Sequence, residues 1–336
     1  MTIPWEQLRQ LTDKYQKFVL LSHVRPDCDA LGSELGLAGV LRALGKDVII
    51  SNADPVPDHL DFIDPNGEIK VLGKTITEEA LSDREVFVVL DTSAWVQLGS
   101  MGDLMKKSNA QKVVIDHHVG NDDLGAILLK NEKAEATGRL IVEAAEYFGV
   151  EITPEMADPL FMAVATDTGW FRFGSVGSET YRIAAKLVEA GSKPDKIYEM
   201  LYEQNTVGRI QLRGRILNSL QTYLEGALIT MRATQEDFKE TASHPSDTED
   251  VINLGLTITG TRVALIFIEQ SDGNIKVSFR SRCDFDCSAM AQRFNGGGHK
   301  KASGTTLPGP LEKVEADVLA EATKNLSDLL LAENTG

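Results

Sequence analysis

The sequence predicts an α/β protein: a doubly wound, mainly parallel sheet followed by a second, smaller domain. Three observations carry that reading. Short apolar runs alternate with helical patterns through the first half of the chain, as in parallel βαβ units. One of these runs, Val113-Val114-Ile115, ends abruptly in Asp116-His117-His118. Ligand chemistry in open α/β sheets gathers at such strand ends. Past residue 224 the pattern changes to paired strands, Val263 to Glu269 and Ile275 to Arg280, joined by the hairpin signal Ser271-Asp272-Gly273-Asn274.

Taken in order, residues 5 to 16 have the pattern of an amphipathic helix and Phe18 to Leu21 that of a strand. Pro26 makes Ser22 to Ala30 a loop. Leu31, Leu35, Val40, Leu41 and Leu44 give a helical pattern from residue 30 to 44, closed by Gly45. Val48 to Ile50 is the next strand, and residues 54 to 65 form a loop rich in Pro and Asp. Val86 to Leu90 is wholly apolar and rich in β-branched residues, a buried strand that ends at Asp91. Ala126 to Leu129 reads as another strand, and residues 134 to 149 and 154 to 166 as helices. Residues 178 to 223 read as helical throughout, with few strong breakers beyond Gly191 and Pro194. Ala227 to Arg232 is a strand. A short helix at 288 to 294 leads into Gly296-Gly297-Gly298-His299, and a helix over 311 to 331 follows. These patterns place one domain at 1–190, a helical connector at 191–224 and a second domain at 225–336.

A chain of 336 residues can build two cores. Its formal charge of −16 excludes general affinity for long duplex nucleic acid, which needs a basic face. A short anionic substrate stays open, because bound divalent metals reverse the local sign. Three cysteines, Cys28, Cys283 and Cys287, make a poor disulfide framework, and without a second pair they do not make a zinc site. The N-terminus lacks a charged segment followed by an apolar run, and no apolar stretch is long enough to span a bilayer. The expectation is a cytoplasmic protein with no membrane partner.

Four strand or helix ends finish in metal-type ligands: His23 with Asp27 and Asp29, then Asp91, then Asp116 with His117 and His118, then Asp167. Singly, Asp91 or Asp116 reads as a turn former or helix cap, and His23 as a structural histidine. Together they read as a metal site. Carboxylates mixed with imidazoles suit manganese, iron or zinc. Acids converging in this number without cations would raise one another's pKa.

In order, the segment His23-x-x-Pro26-Asp27-x-Asp29-Ala30-x-Gly32-Ser33, the strand-ending Asp91, Asp116-His117-His118, and Thr166-Asp167-Thr168-Gly169 resemble the four motifs of the DHH phosphoesterases. Gly296-Gly297-Gly298-His299 with Ala302-Ser303-Gly304 resembles the signature of that family's DHH-associated C-terminal domain. The compact length and the Asp-Thr-Gly-x-Phe-Arg form of the fourth motif look most like the oligoribonucleases, or nano-RNases, that double as phosphoadenosine phosphatases.

The resemblance implies a metal-binding domain and a smaller α/β C-terminal domain, with an active-site cleft between them. It implies two divalent cations, usually Mn2+. His23, Asp27 and Asp91 would hold one; Asp29, Asp91, His117 and Asp167 the other, with Asp91 bridging. Ions roughly 3.5–4 Å apart would present water in line with phosphorus. Asp116 would orient a ligand imidazole. His118 would face the substrate phosphate, holding it or protonating the leaving oxygen. Arg280, Gly297, Gly298 and His299 would grip a phosphate through a guanidinium and a glycine-lined loop, with Arg172 also on the substrate side. The implied substrates are single-stranded RNA of a few nucleotides and adenosine 3′,5′-bisphosphate. A phosphodiesterase for cyclic dinucleotides or their linear products is the rival enzyme, and a non-catalytic nucleotide sensor the rival of another class. No ligand is lost, as a sensor would require. Whether subunits pair as a homodimer is left open. Two departures stand out. Cys28 occupies a position where the family more often has a small residue, and Gly174-Ser175-Val176 stand where Asn-Thr is common.

Overall fold

The computed structural model describes residues 3–335 and divides into two compact units, Met1–Gln204 and Asn205–Gly336. The first unit comprises α1 (Glu6–Lys14), β1 (Lys17–Leu21), α2 (Cys28–Ala43), β2 (Asp47–Asn52), β3 (Ile69–Val71), β4 (Val86–Leu90), α3 (Gly99–Lys107), β5 (Gln111–Asp116), β6 (Ile127–Lys130), α4 (Thr137–Phe148), α5 (Pro154–Asp167), α6 (Ser178–Glu189) and α7 (Pro194–Tyr202). Its strands form one parallel sheet in the order β3-β2-β1-β4-β5-β6. Side chains alternate across it. Phe18 and Leu20 enter a core with Leu37, Leu41 and Leu160, while Val19 and Leu21 enter one with Met101 and Met105. The strand order reverses between β1 and β4, so a crevice is expected outside their carboxyl ends. His23 follows β1 and Asp91 follows β4.

The pairing of α2 with α5 depends on glycine. A Cβ at Gly32 would lie 2.2 Å from the Pro159 carbonyl oxygen, and one at Gly36 would lie 2.5 Å from Leu160. The helices therefore approach closely, and they run antiparallel: Gly32 faces residues 159 and 163, whereas Gly39 faces Met156. That orientation brings the start of α2, with Asp29, to the end of α5, with Asp167.

The second unit comprises α8 (Val207–Asn218), β7 (Gln221–Tyr223), β8 (Leu228–Ala233), α9 (Gln235–Thr241), α10 (Val251–Gly255), β9 (Val263–Glu269), β10 (Asn274–Ser281), α11 (Cys287–Gln292), β11 (Gly297–His299), β12 (Ala302–Pro308) and α12 (Leu311–Thr335). Its sheet runs β11-β12-β10-β9-β8-β7, antiparallel except between β8 and β9. One face packs Phe267 and Phe279 against α11 and α12; the other packs Ile229 and Ile266 with residues of α8 and α10.

Three features differ from the sequence expectation. The 178–223 stretch is not continuously helical: α6, α7 and α8 are separated by turns, and β7 follows. Thr206 caps α8 by accepting from the Arg209 N–H, and the two units divide just before it, so α7 and α8 belong to different units. The Gly-Gly-Gly-His element is an edge strand paired with β12, not a loop. A Cβ at Gly296 would meet the Gly304 carbonyl oxygen at 2.3 Å, and one at Gly298 would meet the Ser303 Cα at 2.6 Å. These two glycines let the strands approach closely. Among the described residues, no helix is long and apolar enough to cross a membrane.

Candidate active site

Each ligand-type side chain is held by the backbone around it. Asp27 caps α2, its Oδ1 accepting from the N–H groups of Asp29 (3.0 Å) and Ala30 (3.1 Å). Asp29 is buried against the start of α4, where Thr137 N–H donates to Oδ2 at 2.7 Å and Gly138 N–H to Oδ1 at 2.8 Å. Asp91 has φ +60° and accepts from Thr137 Oγ1 at 2.9 Å. The Nδ1 of His23 lies 3.0 Å from the Val24 carbonyl oxygen, and that of His117 lies 3.2 Å from the Ala134 carbonyl oxygen. Engaging Nδ1–H on a carbonyl leaves each Nε2 lone pair for a cation.

The donor atoms converge in two groups. His23 Nε2 lies 3.4 Å from Asp91 Oδ2 and 3.9 Å from Asp27 Oδ1. His117 Nε2 lies 3.5 Å from Asp91 Oδ1, 3.7 Å from Asp29 Oδ2 and 3.4 Å from Asp167 Oδ2. Within each of the sets His23–Asp27–Asp91 and Asp29–His117–Asp167, one donor atom per residue lies within 4.8 Å of the others. Asp91 turns one oxygen to each group. A third set, Asp91–His117–His118, satisfies the same distance.

Electrostatics tests whether cations fit. Burial, then repulsion from Asp91 and Asp167, pushes the Asp29 carboxyl well above its ordinary range. Burial and the charge of Asp27 do the same to Asp91, and burial raises Asp167. Acids so placed are poor carboxylates alone and good ones beside divalent cations. Oxygens and imidazole nitrogens, with no thiolate, form a donor set that suits manganese, iron or zinc. Cys28 lies buried at the start of α2, its thiol pushed up to about 12 by burial, and it belongs to no metal-type cluster among the described residues. Cys283 and Cys287 are buried and belong to no metal-type cluster among the described residues.

Asp116 differs from the sequence expectation. It engages His118 rather than one of the imidazoles expected to be ligands, His23 or His117: His118 Nδ1 and the His118 N–H both lie 2.9 Å from Asp116 Oδ1. The imidazoles of His117 and His118 lie edge to face with ring centroids 4.4 Å apart, and His118 Nδ1 also lies 3.6 Å from Asp91 Oδ1. Burial alone would raise Asp116, but donors from His118, Ser93 and Lys130 outweigh it and hold the carboxyl well below the usual range. In return, the bond to Asp116 pushes His118 up to about 9. His118, His23, Asp27, Asp91 and Asp167 open onto a cavity of about 450 Å³ that Gln97 and Asn121 also line.

Arg172 is exposed beyond α5, its Nε donating to the Gly169 carbonyl oxygen at 2.7 Å. In the second unit, Arg280 on β10 and His299 on β11 are both register partners of Ala302 on β12, while Gly297 opposes Gly304. Gly298 faces the other side of the sheet, opposite Ser303. Among the described residues, no carboxylate lies within ion-pair distance of Arg280. Sequence reasoning missed Thr137, Ser93 and Lys130, which hold the acids from other segments.

The parallel sheet, the ligand groups at its switch point and the second sheet define the class: the chain belongs to the DHH family. Residues 17–164 match the model of the DHH family N-terminal domain and residues 229–330 that of the DHHA1 domain. More particularly, the chain is similar to the bifunctional oligoribonuclease and PAP phosphatase NrnA of Thermus thermophilus, 29% identical over 91% of this chain and 90% of the relative. The Bacillus subtilis protein of the same description is 28% identical over 87% of this chain and 90% of its own. The crystal structure of an exopolyphosphatase-related protein from Bacteroides fragilis superposes with a TM-score of 0.83, at 28% identity and 97% coverage of both chains.

Proposed function

We propose that the chain is a metal-dependent phosphoesterase that hydrolyses short oligoribonucleotides to mononucleotides and removes a phosphate from adenosine 3′,5′-bisphosphate. The observation that carries the reading is the convergence of Asp27, Asp29, Asp91 and Asp167 with the Nε2 atoms of His23 and His117 beside a nucleotide-sized cavity. His23, Asp27 and Asp91 would hold one divalent cation; Asp29, Asp91, His117 and Asp167 a second, with manganese the expected ion. When bound, the cations supply positive charge that offsets the phosphate oxygens and favours attack by water.

The chain's own residues do the rest. Thr137 and the start of α4 keep Asp91 and Asp29 aimed inward. His118, with Nδ1 committed to Asp116, presents Nε2 to the cavity and protonates the leaving oxygen. Arg280, His299 and the N–H groups near Gly297 and Gly298 grip a substrate phosphate, and Arg172 adds a further cation. The test is a panel assayed with manganese: a dinucleotide, a 24-mer, adenosine 3′,5′-bisphosphate, cyclic di-AMP and pyrophosphate. Turnover of the first and third is expected. Preference for cyclic di-AMP would move the assignment to a cyclic dinucleotide phosphodiesterase, and no turnover of any would leave a nucleotide sensor.

A further inference from the structure

Asp116 is fully buried, and its countercharge comes from the edge of the sheet. Lys130, the last residue of β6, is the register partner of Asp116 across the β5–β6 pair, so strand pairing itself presents the ammonium to the carboxylate. Its side chain is 10% exposed. The ammonium meets Asp116 Oδ2 at 3.0 Å, Ser93 Oγ at 2.7 Å and the Gly120 carbonyl oxygen. An ammonium has three N–H donors, and here it has three oxygen neighbours. They belong to three segments: the end of β5, the loop after β4 and the loop after His118.

We infer that Lys130 is a positioning residue for the hydrolysis, fixing the His118 ring through Asp116 and the Gly120 loop so that Nε2 faces the cavity. The inference rests on the role proposed above for His118. Without the ammonium, the buried Asp116 Oδ2 would lose its cationic donor, and the carboxylate would turn to seek another. That movement weakens the grip of Oδ1 on the His118 ring and N–H. In the step served, the bond from phosphorus to the leaving oxygen breaks, and the leaving oxygen takes the His118 Nε2 proton. Water supplies the new oxygen on phosphorus and gives up its own proton to solvent, from which His118 is reprotonated. Lys130 exchanges no atom.

The test compares Lys130→Met and His118→Asn, singly and together, in the manganese-loaded full chain. Substrates are an adenine dinucleotide and a nucleotide 4-nitrophenyl ester, whose leaving group departs without a proton. Expected for Lys130→Met is a roughly tenfold or greater fall in kcat on the dinucleotide with KM little changed. A much smaller fall is expected on the ester, with manganese content unchanged. In the double variant the Lys130 substitution should add almost nothing to the loss from His118→Asn. Lys130→Gln, which fills the same space without charge, repeats the test if the Met variant loses thermal stability. Equal losses on both substrates, additive losses in the double variant, or normal kcat would each overturn the inference. Normal activity of His118→Asn would overturn the role of His118 itself, and the inference with it. A crippled His118→Asn beside a normal Lys130→Met would overturn the inference alone.

Discussion

Arg280 and His299 lie in one row across the second sheet, each directly opposite Ala302 on the strand between them. Directly opposed residues point to the same face, so a guanidinium and an imidazole flank a floor one methyl group high. Gly297 and Gly304 form the next row, equally low. Under the role proposed for Arg280 and His299, a phosphate would sit on this floor between the two donors. Arg280→Ala or His299→Ala removes one charge-assisted contact, worth about 1.5–3 kcal/mol, so kcat/KM on a dinucleotide should fall roughly tenfold to over a hundredfold. Ala302→Leu should do the same by filling the gap while leaving both donors in place. Elemental analysis should find the metal content of all three variants unchanged. Loss of metal in His299→Ala would place His299 among the ligands instead.

Asp91 combines a left-handed backbone with an oxygen turned to each ligand group. Asn tolerates that backbone almost as well as Asp, so Asp91→Asn should keep the fold. Turnover should be abolished and the manganese content reduced, and chelation should likewise abolish turnover of the parent. In chelator the variant should melt at a higher temperature than the parent, because Asn removes one of the mutually repelling buried acids. A variant that still turns over in excess chelator would defeat the metal-dependent reading.

Substrate length follows from charge. A net charge of −16 weighs against a long basic track along which a polymer's phosphates could run. A dinucleotide should therefore be cleaved with higher kcat/KM than a 24-mer at the same ionic strength. Steady-state kinetics on the two, with the longer strand preferred, would count against an enzyme for very short RNA.

The legible parts of the site were those where local pattern and chemistry coincide. Val86 to Leu90 and Val113 to Ile115 are apolar because both faces of the sheet are covered, so the acids at their ends stand out. Asp27 and Asp29 announce themselves beside Pro26 and the helix that follows. β12 was not legible. Its inward residues are Ser303 and Thr305 and its outward ones Ala302 and Gly304, so no apolar alternation marks the strand. The Gly-Gly-Gly-His strand was hidden for the same reason, since its glycines serve close approach to β12. Lys130 and Thr137 were out of reach for another. Each acts across the chain, Thr137 on Asp91 and Lys130 on Asp116, and neither local segment carries a sign of its partner. That Asp116 engages His118, and not a ligand imidazole, could not be read from adjacent residues at all.

Behind the metal-type ligands, Glu34 on α2 is fully buried. Asn52 Nδ2 donates to its Oε2 at 3.0 Å, while Oε1 has no partner among the described residues. The same Asn52 accepts the Ser22 N–H at 2.9 Å through Oδ1, which ties the pair to the strand end that carries His23. Burial pushes the Glu34 carboxyl up to about 8, against the hydrogen bond from Asn52 that favours its charge. In the unfolded chain the same carboxyl titrates near its ordinary value of about 4.3. Between these values the folded state holds a proton that the unfolded state has released, so this group's contribution to stability falls as pH rises through the window. Glu34→Gln keeps the shape and the hydrogen-bond acceptor for Asn52 but cannot ionise. Its melting temperature in chelator should nearly match the parent's at the acid end of the window. At the alkaline end it should exceed the parent's by several degrees, a difference on the order of a few kcal/mol. Thermal unfolding of both proteins across that range measures the gap directly, and a gap that does not widen with pH would mean that Glu34 is ionised in the folded state throughout.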